Sequence, residues 1–169
     1  MNLNVRRDVT TGAVLHCGQD FYRAAVGVGG IGVKRAEGDG ITPVGTFALR
    51  RLLFRADRIK LPLTRLPASA IAPDDGWCDA PGDPAYNQPV KLPYRASAEA
   101  LWRPDVLYDL IVVLGFNDDP VVAGCGSAIF LHVAQVDYRP TQGCIALAKD
   151  DLLAVLAKLV PGDTITISS

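Results

Sequence analysis

The chain has 169 residues and a mass of 18.0 kDa, is 49% hydrophobic and 21% charged, and carries a formal net charge of -1. That size predicts a single domain over residues 1–169 with a real core, and the apolar share argues against disorder. A near-neutral charge supplies no global field for nucleic acid or an anionic membrane, so neither is an expected partner.

Met1 to Asp8 mixes Asn, Arg and Asp with isolated apolar residues, and no apolar stretch of signal-peptide length follows. The expectation is a protein that stays inside the cell or a chain that lacks its native leader. The longest apolar runs, such as Leu110 to Phe116, are too short to span a bilayer.

The front third reads as a β-meander. Asn4 to Val9 ends at the turn signal Thr11-Gly12, and Ala13 to Cys17 follows. After a second turn at Gly18-Gln19-Asp20, Phe21 to Val28 resumes the alternation. Gly27, Gly29, Gly30 and Gly32 come next. No Gly-Lys-Ser/Thr and no helical pattern follow them, so they predict a strand-to-loop transition rather than a phosphate loop.

Gly38 to Phe47 is dense in turn residues and leads into a strand through about Leu53. Between Pro62 and Pro104 lie eight of the twelve prolines and both tryptophans. Such a segment excludes a long helix or a central strand and predicts a loop-rich excursion over one side of the core.

Tyr108 to Phe116 is a continuous apolar run suited to a strand buried on both faces, and Ser127 to Ala134 is a further strand. Lys149 to Leu159 predicts a helix. Leu152, Leu153, Leu156 and Leu159 share a face, Asp150 and Asp151 suit its N-terminal end, and Pro161-Gly162 stops it. Thr164 to Ser168 closes with a strand. The expected class is a β-dominated α+β domain.

The four cysteines, at 17, 78, 125 and 144, form no C-x-x-C pair, and the histidines are only two, at 16 and 132. A structural zinc site therefore has weak support and no metal is expected. The spacing favours no disulfide pattern, and Cys17 and Cys125 read as buried free thiols. One stretch, His132 through Cys144, combines a nucleophile, a possible base and a tight turn. A thiol of pKa ~8.5 needs a basic or cationic neighbour to attack at neutral pH, and histidine is the usual supplier. Gly143 lets the backbone bend and aim amide groups at an oxyanion. Spacing alone leaves a satisfied core histidine and an inert buried cysteine as an equal alternative.

Three stretches resemble the YkuD-type L,D-transpeptidase domain, the family that cross-links peptidoglycan. Gly38 to Phe47 is similar to its Gly-x-x-Thr-Pro-x-Gly-x-Phe signature, and Gly126 to His132 to the strand with its catalytic histidine. Thr141-Gln142-Gly143-Cys144-Ile145 is similar to its Ser/Thr-x-Gly-Cys turn. Trp77-Cys78-Asp79 through Tyr86-Asn87 also looks like segments of small bacterial members.

The resemblance implies a mixed β-sandwich or barrel with one C-terminal helix. It implies Cys144 as nucleophile, His132 as general base held by a nearby backbone carbonyl, that of Val133, and Gly143 and Cys144 as oxyanion donors. It extends to Gln142, Thr141, Trp77, Tyr86, Asn87 and Arg139 as substrate-binding positions. Trp77, Tyr86 and Asn87 have an equal reading as packing for the loop excursion, Arg139 and Asp118-Asp119 an ordinary one as solvated loop charges, and Thr42-Pro43 and Gly45 as turn residues.

The implied activity is L,D-transpeptidation of peptidoglycan stem peptides through a thioester acyl-enzyme, without metal or organic cofactor. That places the protein in cell-wall biosynthesis and cell shape, in the periplasm or envelope. Water as acceptor, making a carboxypeptidase or amidase, and a non-catalytic envelope-binding domain are the alternatives. Two positions depart from the family pattern: Gln142 stands where most members carry a second histidine, and Ala146 where many have Arg or Asn.

Overall fold

The computed structural model describes residues 1–169. The meander forms as the turns dictate: β1 (Asn2–Asp8), β2 (Gly12–Cys17) and β3 (Asp20–Ala25) pair antiparallel in sequence. In β1 and β2 alternate residues (Leu3, Val5, Ala13, Leu15, Cys17) point into the core, the period-two pattern of a half-buried strand. The glycine stretch contributes only β4 (Ile31–Gly32), paired with β5 (Thr42–Pro43). The long strand β6 (Gly45–Phe54) follows.

The proline-rich segment is more regular than its composition predicts. It holds β7 (Ala68–Ala70), β8 (Asp75–Cys78), β9 (Pro89–Lys91) and β10 (Ala98–Ala100). The last three form a small antiparallel sheet in the order β10-β8-β9. Pro89 sits in its edge strand, where a missing N–H breaks no ladder.

The back half supplies β11 (Leu110–Leu114), β12 (Phe130–Val133), β13 (Ile145–Leu147), α1 (Lys149–Leu156) and β14 (Thr164–Ser168). The strands are shorter than the apolar runs. Positive φ at Gly126 (106°) and Ala128 (47°) keeps residues before Ile129 out of extended geometry. The helix stops early because Lys158 and Leu159 bond to Val155 and Leu156, an i to i−3 pattern that tightens the last turn. Leu159 is still fully buried.

The main sheet runs β11-β12-β13-β3-β2-β1-β14-β6-β7, and β6 also pairs with β11, so the sheet closes into a barrel-like ring. It is mixed, with β12 and β13 parallel. Its two faces bury different residues. Leu110, Val112, Leu114, Leu131, Val133, Ile145 and Leu147 join the inner core with Leu152, Val155 and Leu156 of the helix. Ile111, Val113, Phe130 and Cys144 face outward into a second cluster with Ile71, Trp77, Leu101 and Tyr108. The small sheet and its loops thus cover the outer face of β11 to β13, and a continuous apolar run is what a strand buried on both faces requires. No helix is long and apolar enough to cross a membrane.

Cys17, Cys78 and Cys144 are buried, but Cys125 is exposed, contrary to its expected burial; all four are free thiols. Cys125 lies in a turn between positive-φ glycines 124 and 126, outside any strand that would carry it inward.

Candidate active site

In the parallel pair β12 and β13, Leu131 is in register with Ile145 and His132 with Ala146. Side chains alternate along strands, so Phe130, His132, Cys144 and Ala146 project from one face. This register brings His132 and Cys144 to one side of the sheet. His132 and Cys144 both line a cavity of about 610 Å³.

The turn before Cys144 is built from backbone. Gly143 has φ 130°, and a Cβ there would stand 2.9 Å from the Ile41 carbonyl oxygen, so only glycine fits. Thr141 bridges to the glycine stretch, donating to Val26 O at 2.9 Å and accepting from Val28 N–H at 2.8 Å. A Cβ on Gly27 would meet the Gly40 carbonyl at 2.0 Å and Gly143 Cα at 3.0 Å. The Thr141 hydroxyl donates to Cys144 O at 2.6 Å, and buried Thr42 accepts from Gly27 N–H at 2.7 Å. The glycine stretch and Thr42 therefore brace the Cys144 turn from behind.

The imidazole is fixed as well. His132 Nδ1 is 2.8 Å from Val133 O. A carbonyl only accepts, so Nδ1 carries the proton and Nε2 keeps the free lone pair. Tyr108 packs edge-on to the ring, with centroids 5.3 Å apart. Burial pulls the His132 pKa down to about 4, against the favourable bond to Val133.

The thiol bonds elsewhere. Cys144 Sγ donates to Ala128 O at 3.3 Å and accepts from Phe130 N–H at 3.3 Å. Burial, then the nearby Glu99 charge, pushes its pKa up to about 12. The thiol thus directs its proton to Ala128 O, while Nε2 of His132 keeps its lone pair. Gly143 N–H donates to Thr141 Oγ1 at 3.1 Å, while the Gln142 and Cys144 N–H groups of the turn carry no hydrogen bond.

Thr141, Gln142 and Arg139 line the cavity with Cys144. Arg139 is exposed and paired with Asp137 at 2.6 Å. Trp77, Tyr86 and Asn87, singled out by resemblance as substrate contacts, do not line it. They are buried behind its wall, at 6%, 2% and 5% exposure. Trp77 Nε1 donates to Asn87 Oδ1 at 3.0 Å, and the same oxygen accepts from Ala128 N–H at 3.0 Å. Asn87 Nδ2 donates to Phe116 O and Asn117 O, and Tyr86 accepts from Gly126 N–H at 2.9 Å. These three hold residues 126–128 in the left-handed turn that aims the Ala128 carbonyl at the thiol.

The sequence reading missed Glu37, Asp79, Glu99, Arg103 and Tyr108, all on the cavity. Tyr108 donates to Glu99 Oε1 at 2.6 Å. Asp79 closes the Trp77-Cys78-Asp79 stretch without having been given a role, and Glu99 and Arg103 arrive from the proline-rich excursion with no local motif. No three His, Cys, Asp or Glu side chains converge to hold a metal ion.

The sequence matches the model of the YkuD family, described as the L,D-transpeptidase catalytic domain, over residues 7–167. Comparison with curated proteins gives no match. Among solved structures, the chain is similar to L,D-transpeptidase 1 of Mycobacterium tuberculosis, at 13% identity and a TM-score of 0.42. It is also similar to an L,D-transpeptidase from Mycobacterium smegmatis, at 15% identity and a TM-score of 0.43. Both alignments cover 99% of this chain but 62% and 58% of those longer chains, so this chain spans less than two thirds of their length.

Proposed function

We propose, from the premise that this chain belongs to the family of L,D-transpeptidase catalytic domains, that it is a cysteine acyltransferase acting on peptidoglycan stem peptides. One catalytic domain over residues 1–169 carries the activity, and the compartment is the cell envelope, where that substrate lies. The observation that supports this most is the shared face of His132 and Cys144 in one cavity, with His132 locked in the tautomer that leaves Nε2 basic.

In the reaction, the Cys144 sulfur leaves its bond to Ala128 and attacks the carbonyl of a diacid residue that precedes a D-amino acid. Nε2 of His132 takes the thiol proton as the C–S bond forms. The Cys144 amide, joined by that of Gly143 once it turns from Thr141, steadies the oxyanion. The imidazolium gives its proton to the departing amine, the C–N bond breaks and a thioester remains. An acceptor amine then attacks the thioester, loses its proton to Nε2, and the sulfur leaves and is reprotonated. Because the thiol proton is directed to Ala128 O and Nε2 keeps its lone pair, proton transfer is concerted with attack rather than completed before it. Gln142 and Thr141, exposed or half-buried at the rim, bind the donor peptide, and Arg139 sits at the edge of the same groove. Trp77, Tyr86 and Asn87 act as positioning residues.

The test is product analysis with tetrapeptide stem fragments. A cross-linked dimer that disappears in Cys144→Ala supports the reading, trimmed stems assign water as the acceptor, and unconsumed stems with an unmodified Cys144 leave a binding domain.

A further inference from the structure

The Cys144 cavity has an uneven balance of charge. Three cations line it, Lys34, Arg103 and Arg139. Each is already paired with an aspartate that does not line it: Asp39, Asp105 and Asp137, all at 2.6 Å. Three carboxylates also line it, Glu37, Asp79 and Glu99; the hydrogen bonds that Glu37 and Glu99 accept come from neutral hydroxyls, and the Arg103 charge that acts on Glu99 is itself bound to Asp105. Glu37 accepts from Ser127 at 3.0 Å and from the Tyr86 hydroxyl. Glu99 accepts from Tyr108 at 2.6 Å. Asp79 Oδ1 is buried with no hydrogen-bond partner, a costly state for an anion unless something cationic enters.

Glu99 and Asp79 act from one place. Glu99 is in register with Trp77 across β10 and β8, and Asp79 lies two residues further along, so period two puts both acids on one face of the small sheet. That face closes over β12 and β13. The Glu99 charge is close enough to the sulfur to disfavour the thiolate, and burial raises the Glu99 carboxyl in turn. A cation bound at Glu99 relieves both penalties.

Resting on the acyl-transfer reading, we propose that Glu99, seconded by Asp79, is the specificity-determining residue that selects an acyl donor bearing an alkylammonium group near the reacting carbonyl. The ammonium belongs to the donor, because an acceptor amine must be uncharged to attack and a carboxylate would hold it protonated. Donor binding then also activates the nucleophile, since neutralising Glu99 favours the charge that develops on sulfur.

The test uses three methanethiosulfonates that differ in charge: the 2-aminoethyl, methyl and 2-sulfonatoethyl reagents. In each, the Cys144 sulfur attacks the thiosulfonate sulfur, an S–S bond forms, methanesulfinate leaves and the thiol proton goes to solvent. Rates are read at the Cys144 peptide by mass spectrometry, since exposed Cys125 reacts too. The ratio of cationic to neutral reagent cancels the thiolate fraction. In the native protein that ratio should exceed the free-cysteine ratio about tenfold, the effect of one partly screened charge at close range, and the anionic reagent should be slowest. Glu99→Gln, whose amide oxygen still accepts from Tyr108, should bring the ratio near the free-cysteine value, and Asp79→Asn part of the way. A native ratio equal to free cysteine, or one unmoved by Glu99→Gln, overturns the subsite and leaves the acyl-transfer reading standing. A Cys144 that reacts with none of the three overturns both.

Discussion

The ring of Tyr108 stands edge-on to the imidazole of His132, with centroids 5.3 Å apart and planes at 75°. Phe130 flanks Tyr108 at 6.0 Å, and the phenol oxygen is tied to Glu99. The imidazole is therefore held at Nδ1 by backbone and across its plane by an aromatic ring that is itself anchored. Tyr108→Ala opens a void in this cluster and is expected to cost about 3–5 kcal/mol of stability. Tyr108→Phe keeps the ring but takes from the partly buried Glu99 carboxylate its hydrogen-bond donor, about 1.5–3 kcal/mol. Denaturant melts with acylation rates check this: the phenylalanine variant should acylate far faster than the alanine variant, and equal rates would remove the orienting role.

The buried neutral histidine makes stability depend on pH. Its folded pKa of about 4 lies below the ordinary ~6.5, so the unfolded chain binds the proton first. The stabilisation is complete above that ordinary value and is lost as pH falls through the folded one. Relative to His132→Gln, the native protein should lose about 3 kcal/mol over this window. Parallel stability curves for the two proteins would contradict the burial argument.

The thiol gives a prediction at the other end of the scale. With its pKa raised to about 12, Cys144 in the free protein should react with iodoacetamide more and more quickly as pH climbs past the usual thiol range. A rate plateau near the free-thiol pKa of ~8.5 would show an ordinary or preactivated sulfur.

Asn87 is the keystone of the cavity wall, bonding at once to Trp77, Phe116, Asn117 and Ala128. Asn87→Ala strands these buried partners and releases Ala128 from its φ of 47°. The expected cost is about 2–4 kcal/mol, together with slower acylation although Asn87 lines no part of the Cys144 cavity. A variant of native stability and rate would show that the wall holds itself.

The elements legible in the sequence were those written in local patterns. The meander, the doubly buried Leu110–Leu114 and the terminal helix and strand follow from alternation, apolar runs and turn residues. The shared face of His132 and Cys144 was suggested by their spacing but favoured only by the resemblance, because the register of two parallel strands is a tertiary fact. The small β10-β8-β9 sheet escaped detection, since strands of three or four residues among prolines give no periodic signal. The same gap hid Glu99 and left Asp79, though part of a quoted stretch, without a role. Aromatic and amide residues drew notice at Trp77, Tyr86 and Asn87, but such side chains serve a buried hydrogen-bond network as readily as a groove.

Acylation of Cys144 tests the central claim most directly. Native protein is incubated with a carbapenem, which acylates the family's cysteine, and its intact mass and Cys144 peptide are measured beside Cys144→Ala and His132→Gln. The account predicts one adduct on Cys144 in the native protein, none in Cys144→Ala, and formation slowed about 10²-fold or more in His132→Gln. An unmodified Cys144, or a rate indifferent to His132, would contradict it.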